Sequence, residues 1–251
     1  MTKKAVLGIF AHPDDAEFLC AGTLSLLHDF KWEVHIATLA PGDKGTAVYS
    51  REEISVIRKA ESAKAAALIG GTYHCLGFED VYILYNKETL NTTTALIRRI
   101  KPSIVFTSSP ADYMLDHEIS SLIVQTACFA SGMKNMEVEE EPFEPVPCLY
   151  YCDPMEGKDK LGNPVRPAMY VDISGSIQIK ERMLACHESQ RNWLLEHHKM
   201  DEYILSMRRF SEHRGREAGT LYAEGFRQHL GHGYPQDNLL ATTLGNLVIN
   251  K

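Results

Sequence analysis

Residues 5–18 read AVLGIFAHPDDAEF, an apolar strand-like run followed at once by an imidazole and two adjacent carboxylates. Ionisable groups are costly to gather where solvent is limited, unless a cation or a reacting group compensates them. Similar strand-like runs, with helical stretches between them, recur at WEVHIATL, TYHCLGF and SIVFTSS. Because strands and helices alternate along the chain, the pattern predicts βαβ units, a mainly parallel sheet and an α/β fold.

Apolar periodicity and helix-ending glycines predict the helices between these strands. The predicted helices cover residues 16–30, about 50–69, 87–100, about 118–131, about 176–192 and about 201–217. The runs CLYYCD and AMYVDIS are interpreted as further strands, and the acidic, proline-interrupted segment 133–147 as an exposed loop. With 251 residues and 44% hydrophobic composition, we expect one domain over residues 1–251.

The charge balance bears on the kind of partner. The formal net charge is -7 and the chain has no long basic run, which argues against a nucleic-acid partner and favours a small molecule. No apolar run approaches the roughly 18 residues of a membrane-spanning helix, and MTKK leads directly into a short strand rather than into a secretion signal. We therefore expect no membrane span and a cytoplasmic location.

Polar loops follow each of the first four predicted strands. In an open parallel sheet, ligands bind beyond the carboxyl ends of the strands, where loops lead into helices. The four loops carry HPDD, APGDKG, GFED and SSPADYMLDH. We expect all four to meet at one edge of the sheet.

The first and fourth of these loops carry candidate metal ligands. His12 and Asp15 lie three residues apart across a strand-to-helix turn, so they can direct an imidazole nitrogen and a carboxylate oxygen at one ion. A catalytic zinc ion typically takes three protein ligands, and His117 is the best candidate for the third. Asp116 could cap its helix or orient a ligand imidazole, and Asp14 could act as a general base. The competing interpretation is an ordinary turn with a helix N-cap.

Six segments together carry a family resemblance. They read AHPDDAEFLCAGTL, RKAESAKAAALIG, CLGFED, DYMLDH, MYVDISGSIQIKERMLACHESQ and YAEGFR, and they span nearly the whole chain. The chain resembles the PIG-L or LmbE-like family, zinc-dependent deacetylases that remove acetyl groups from N-acetylglucosamine units of larger molecules. The first segment is highly specific for this family, and the segments near the C-terminus are supportive.

The resemblance implies a Rossmann-like fold with a metal site at the carboxyl ends of the strands. It implies that His12, Asp15 and His117 hold one zinc ion, although iron(II) also suits two histidines and one carboxylate. It further suggests a homo-oligomer.

The resemblance also implies roles around the metal. Asp14 matches the general base, Arg58 matches an arginine that contacts the substrate, and Asp80 matches an acidic residue that accepts sugar hydroxyls. The alternatives are a charge on the helix surface for Arg58 and an ordinary turn residue for Asp80. We expect Gly42 and Gly45 to shape their loop by adopting positive φ.

One position departs from the family pattern. The family commonly has histidine and proline before the Asp-His pair, where this chain has Met114 and Leu115. The missing histidine is thought to stabilise the oxyanion or to protonate the leaving amine. The general base could shuttle the proton alone, or a histidine of the C-terminal third (His187, His229 or His232) could donate it in place of the missing histidine. Otherwise catalysis could be weak.

The function expected from these observations is hydrolysis of an acetamide. A zinc-activated water would remove the acetyl group from an N-acetylated amino sugar of the N-acetylglucosamine type. An amidase of the same family that cleaves a larger acyl group is a close alternative. A non-catalytic protein that binds a metal or a sugar nucleotide is a third possibility, because of Met114.

Overall fold

The structure is a computed structural model that describes residues 4–191 and 202–251. The strands are β1 (Ala5–Phe10), β2 (Glu33–Thr38), β3 (Thr72–Cys75), β4 (Ile104–Thr107), β5 (Cys148–Cys152), β6 (Met169–Asp172), β7 (Ala223–Gln228) and β8 (Val248–Asn250). The α-helices are α1 (Asp15–Leu19), α2 (Ala21–Asp29), α3 (Arg51–Ala67), α4 (Lys87–Ile100), α5 (Leu115–Ala130), α6 (Ile177–Leu184), α7 (Glu202–Ala218) and α8 (Leu239–Leu244).

The described strands form one sheet in the order β3-β2-β1-β4-β5-β7-β6-β8. The first five strands in this order pair with one another in parallel. Strand β7 runs antiparallel to β5 and β6, and β8 runs antiparallel to β6. The mainly parallel, Rossmann-like α/β fold is therefore confirmed. The order reverses between β1 and β4, which is the place where ligands bind in open α/β sheets.

Strand β1 lies at the centre of the sheet and is buried on both faces. Val6 and Phe10 pack into one hydrophobic core with α2, whereas Leu7 and Ile9 pack into a second core with α4 and α5. Successive side chains of a strand point to opposite faces, so an uninterrupted apolar run is typical of a strand covered by helices on both sides. This double burial fixes the point at which the chain emerges at residues 11–15.

The helices agree with the sequence-based expectation, with differences at their ends. The helix expected over 16–30 is divided at Cys20, where φ of -142° interrupts the helical conformation. Helix α3 begins after Ser50, whose hydroxyl accepts a hydrogen bond from the Glu53 amide in a capping box. Helix α6 ends at Leu184, earlier than expected, residues 188–191 are helical again after a break at 185–187, and residue 192 lies outside the described residues.

Segment 133–147 contains neither helix nor strand, as expected. The sequence patterns missed β7, α8 and β8, because β7 carries Glu224, Gly225 and Arg227 and the other two elements are very short. None of the described helices is long and apolar enough to cross a membrane. One domain over residues 1–251 remains a prediction.

Glu224 explains why β7 tolerates a charge in the core. Its carboxylate accepts hydrogen bonds from the amides of Gly22 (2.9 Å) and Thr23 (2.8 Å) at the start of α2. It also accepts bonds from the Thr23 hydroxyl (2.5 Å) and from the buried Lys180 ammonium on α6 (2.6 Å). A buried carboxylate with this many donors is satisfied, and it joins β7, α2 and α6.

Glu224→Ala is expected to lower the free energy of unfolding by about 3–5 kcal/mol, because it leaves the Lys180 ammonium buried without a partner. Urea denaturation measures the change, and the Glu52→Ala variant of an exposed carboxylate on α3 is the control. A loss below about 1 kcal/mol for Glu224→Ala would contradict this account.

Candidate metal centre and active site

A cavity of about 630 Å³ lies at the carboxyl ends of β1 to β4. The four loops expected to meet there all contribute to it. Its walls include His12, Asp14, Asp15, Phe18, Lys44, Gly45, Arg58, Asp80, Val81, Tyr113, Met114, His117, Met155, Glu156, Gln190 and Tyr203. The predicted general base, metal ligands and substrate-binding residues therefore all line this cavity, namely Asp14, His12, Asp15, His117, Arg58 and Asp80.

The three candidate metal ligands are buried and face one another. Ligand atoms of His12, Asp15 and His117 all lie within 4.8 Å of one another. His12 Nδ1 is 3.9 Å from Asp15 Oδ2, and His117 Nε2 is 3.4 Å from Asp15 Oδ1. The Asp15 carboxylate also accepts a hydrogen bond from the His12 backbone amide (2.9 Å), which explains the spacing of three residues. The local turn thus aims both side chains at the same point.

Each candidate imidazole is oriented by a further carboxylate. His12 Nε2 lies 3.0 Å from Asp116 Oδ2, and His117 Nδ1 lies 3.0 Å from Asp112 Oδ1. Hydrogen bonds from His12 and the Val81 amide hold the pKa of Asp116 below its usual value, although burial works to raise it. A carboxylate can only accept, so these contacts place the protons on His12 Nε2 and His117 Nδ1 and leave the other nitrogens free to bind an ion.

This arrangement decides between the two roles considered for Asp116. The N-cap of α5 is Met114 and makes no side-chain cap bond, so Asp116 does not cap the helix but orients an imidazole. The imidazole it orients is His12, from the other loop. Asp112 was missed by the sequence analysis, although its place in the same polar loop, five residues before His117, is a signal that could have identified it.

The electrostatics of the three residues fit a divalent ion. Burial works to raise the pKa of Asp15, but the charge of His117, a hydrogen bond from it and the charge of His12 lower that pKa to about 2. Burial works to lower the pKa of His117, but Asp15 and Asp112 raise it well above its usual value. The Asp15 carboxylate is thus ionised, and a bound ion would replace the proton that the two carboxylates favour on His117. Two imidazoles and one carboxylate are a ligand set suited to zinc or iron(II).

Asp14 lies beside this cluster in a strained conformation. Its φ of 88° is in the left-handed region, which is uncommon for residues other than glycine and frequently marks functional sites. The Tyr203 hydroxyl donates a hydrogen bond to Asp14 Oδ2 (2.5 Å), and Arg58 Nη2 lies 3.4 Å from the same oxygen. Burial raises the pKa of Asp14, and the charge of Arg58 opposes that rise in part. A partly buried carboxylate of raised pKa is suited to accept a proton.

Arg58 is buried beneath the loop that follows β2 and is not a charge on the helix surface. Its Nη2 donates to the Pro13 carbonyl (2.8 Å), and its guanidinium packs against Gly42 and Gly45. A Cβ atom at Gly42 would lie 2.4 Å from Arg58, and one at Gly45 would lie 2.6 Å from it. Gly42 has the expected positive φ of 78°, but the expectation was wrong for Gly45, which is needed for close approach instead.

Asp80 is buried and holds the same loop. Its two carboxylate oxygens accept hydrogen bonds from the amides of Gly42 (3.0 Å) and Lys44 (3.1 Å). In return, the Asp43 carboxylate accepts a hydrogen bond from the Asp80 amide (2.8 Å). Each carboxylate oxygen has a second lone pair, so the predicted contact with a sugar hydroxyl remains compatible with this clamp and stays a prediction.

Alanine at Arg58 or at Asp80 is expected to raise KM by about tenfold or more, since hydrogen bonds to charged groups contribute about 1.5–3 kcal/mol. Arg58→Ala is expected to lower kcat as well, because Arg58 contacts the Asp14 carboxylate. Arg99→Ala, which removes an exposed arginine on α4, is the matched control. Steady-state kinetics with the true substrate measure the effect. An unchanged KM at both positions would exclude their role in substrate binding.

The three histidines considered as proton donors lie elsewhere in the described part of the chain. His187 is fully buried, with its Nε2 3.4 Å from Glu17 Oε2. His229 bonds to the Tyr151 hydroxyl (2.8 Å), and His232 is exposed. None of the three lines the cavity, whereas Met114 does.

The fold and this site together define a class of protein, a Rossmann-like α/β protein with a candidate mononuclear metal centre at the carboxyl ends of its strands. Residues 7–128 match the model of the PIG-L family, described as GlcNAc-PI de-N-acetylase. This match and the deacetylase relatives confirm the resemblance to the PIG-L or LmbE-like family that its motifs indicate.

Characterised relatives cover most of the chain. It is 26% identical over 237 residues to a diacetylchitobiose deacetylase of Thermococcus kodakarensis, a match that covers 89% of this chain and 82% of that protein. The structure of N,N'-diacetylchitobiose deacetylase from Pyrococcus horikoshii superposes with a TM-score of 0.78 at 24% identity, covering 94% of this chain and 88% of that one. A 4-carboxy-2-hydroxymuconate hydratase from Pseudomonas putida has a TM-score of 0.76 at 21% identity, covering 94% and 99%.

Proposed function

We propose that this protein is a metal-dependent hydrolase that removes the acetyl group from an N-acetylated amino sugar. The observation that carries the proposal is the convergence of His12, Asp15 and His117 within 4.8 Å in the cavity that also contains Asp14. The resident ion we propose is zinc, with iron(II) as the alternative. The deacetylase relative, similar over 89% of this chain, supports the acetylated sugar as the substrate class.

A divalent ion at this site would supply Lewis acidity for the amide carbonyl and would lower the pKa of water. The remaining steps fall to side chains of the cavity. Asp14 accepts the proton of the attacking water, because its carboxylate lines the cavity beside the three candidate ligands. Tyr203 and Arg58 hold the Asp14 carboxylate in place through Oδ2. Asp14 then returns the proton to the departing nitrogen, and acetate and the free amine leave.

The shape of the cavity is compatible with a sugar substrate. A volume of about 630 Å³ lies within the usual range of small-molecule sites, and both polar and apolar side chains line it. Phe18 and Met155 offer apolar surface to a pyranose ring. Lys44, Glu156 and Gln190 offer donors and acceptors for its hydroxyls.

A hydratase is the second candidate function. The hydratase from Pseudomonas putida matches 94% of this chain, and water addition to a carbon-carbon double bond has no amine leaving group to protonate. Such a reaction needs a proton on the second carbon rather than on nitrogen, and Asp14 could return to that carbon the proton taken from water. Lys44 and Arg58 in the cavity would then bind substrate carboxylates.

The test combines metal analysis with a substrate panel. Purified protein is analysed by plasma mass spectrometry, and N-acetylglucosamine, diacetylchitobiose, an N-butyryl analogue and an unsaturated dicarboxylic acid are offered before and after chelation. Amine release from the acetylated sugars, abolished by chelation and restored by zinc, is the expected result. Release from the butyryl compound only would indicate an amidase, and hydration only would indicate a hydratase. Metal and sugar binding without turnover would indicate a non-catalytic protein.

We also propose that copies of this chain associate, as the family resemblance suggests. Leu115, Leu122 and Phe129 are exposed by 64%, 44% and 43% and recur every seven residues, so they share one face of α5. Light scattering measures the mass in solution, and a monomer for the unaltered protein would exclude association. A cytoplasmic location remains a prediction.

A further inference from the structure

Tyr113 lines the cavity immediately before Met114 and was not selected from the sequence. Its ring meets the His117 imidazole edge-on, with centroids 5.4 Å apart at an interplanar angle of 87°. The residue is about half exposed, 49%, and it faces the cavity rather than the core. Tyr113 therefore lies in direct contact with a candidate metal ligand.

The turn that carries Tyr113 is linked to the candidate ligand His117 through Asp112. Asp112 Oδ1 accepts a hydrogen bond from the Met114 amide (3.2 Å) and also contacts His117 Nδ1 (3.0 Å). The same carboxylate oxygen thus orients the imidazole and closes the backbone around Tyr113. A residue held in this way keeps a defined position relative to His117.

The hydroxyl of Tyr113 has no hydrogen-bond partner among residues 4–191 and 202–251, so it is available to a substrate. The other cavity tyrosine differs, because the Tyr203 hydroxyl already donates to Asp14. A phenol keeps its proton at neutral pH, so the Tyr113 hydroxyl is a hydrogen-bond donor.

We propose that the Tyr113 hydroxyl donates a hydrogen bond to the carbonyl oxygen of the scissile amide as that oxygen becomes an oxyanion. It thereby takes the position beside the metal ligands that Met114, whose thioether has no proton to give, cannot fill. This inference rests on the proposed deacetylase function and assigns one further catalytic residue to it.

The proton and electron balance needs no further reactant. The oxygen of water forms a bond to the carbonyl carbon, its proton passes to Asp14, and the carbonyl π pair moves to oxygen, where the Tyr113 O–H binds it without transferring its proton. The π bond then reforms, the C–N bond breaks, and nitrogen takes the proton from Asp14. Tyr113 ends each cycle unchanged.

The first test is Tyr113→Phe, which keeps the ring against His117 and removes only the hydroxyl. Loss of an oxyanion donor is expected to lower kcat by about a hundredfold or more, with KM and metal content little changed. Tyr85→Phe, which changes a tyrosine of similar exposure outside the cavity, is the matched control. Equal kcat for Tyr113→Phe and the unaltered protein would overturn the proposal.

Rescue tests the same role in a second variant. Met114→His in the Tyr113→Phe protein introduces the donor that the family commonly has at this position, so kcat is expected to recover at least tenfold. If Tyr113→Phe does not lower kcat and adding Met114→His does not raise it, no donor is needed from this loop.

Binding provides a readout independent of turnover. Calorimetry compares the affinity of a methylphosphonamidate analogue of N-acetylglucosamine, which mimics the tetrahedral oxyanion, with that of glucosamine. Tyr113→Phe is expected to lower the affinity for the analogue by about tenfold or more and to leave the affinity for glucosamine unchanged. If the unaltered protein turns over acetylated sugars but the analogue binds both proteins equally, only the role of Tyr113 is wrong. If the unaltered protein releases no amine from any acetylated sugar, the proposed function fails and this inference fails with it.

Discussion

Asp14→Asn is expected to retain its metal and to lose about a hundredfold or more of kcat, because an amide fills the same space but cannot accept a proton. The Tyr203 hydroxyl and the Arg58 guanidinium both contact Asp14 Oδ2, so the substituted side chain keeps a donor on either side. Plasma mass spectrometry measures metal content, and steady-state release of amine measures turnover.

The control for Asp14→Asn is Asp29→Asn, at the end of α2 away from the cavity, which should keep full turnover. Near-normal kcat in a metal-loaded Asp14→Asn protein would remove Asp14 from the mechanism. A loss of metal together with activity would instead place Asp14 among the groups that hold the ion.

His117→Ala is expected to reduce bound metal from about one ion per chain to a small fraction of that and to abolish turnover. Two protein ligands remain after the change, fewer than catalytic zinc sites normally use. Asp112→Asn is expected to weaken metal binding by about 10–100-fold, because it disturbs only the group that orients His117.

Competition with a fluorescent zinc chelator measures both affinities. His213→Ala, at an exposed histidine on α7, is the matched control and should bind the metal like the unaltered protein. Full metal content and activity in His117→Ala would show that the third ligand is a different residue.

Several features of the fold could be read directly from the sequence. The continuous apolar run of β1 predicts burial on both faces, and the structure places its alternate residues in two separate cores. The helix over residues 51–67 has both a capping signal at Ser50 and apolar periodicity. By contrast, β7 has a charged residue and a glycine at its centre, so no apolar pattern marks it as a strand.

Some contacts of the candidate site could likewise be predicted from the sequence, whereas others could not. His12 and Asp15 belong to one turn, and a hydrogen bond between the Asp15 carboxylate and the His12 amide closes that turn locally. Their spacing therefore predicted their proximity. Asp116 was recognised as a possible orienting residue, but the imidazole that it orients, His12, lies 104 residues away in sequence.

By itself the sequence determined the alternation of strands and helices, the loops that meet at the strand ends and the candidate ligands His12, Asp15 and His117. These features can be predicted from neighbouring residues, because the periodicity of a strand or helix sets the directions in which successive side chains point. Only the tertiary structure decided that Tyr203 contacts Asp14 from 189 residues away and that Tyr113 lines the cavity against His117. Such contacts depend on which strands are neighbours and on how the loops pack over them. The free energy that selects this arrangement comes from burial of the whole core and not from local spacing in the sequence.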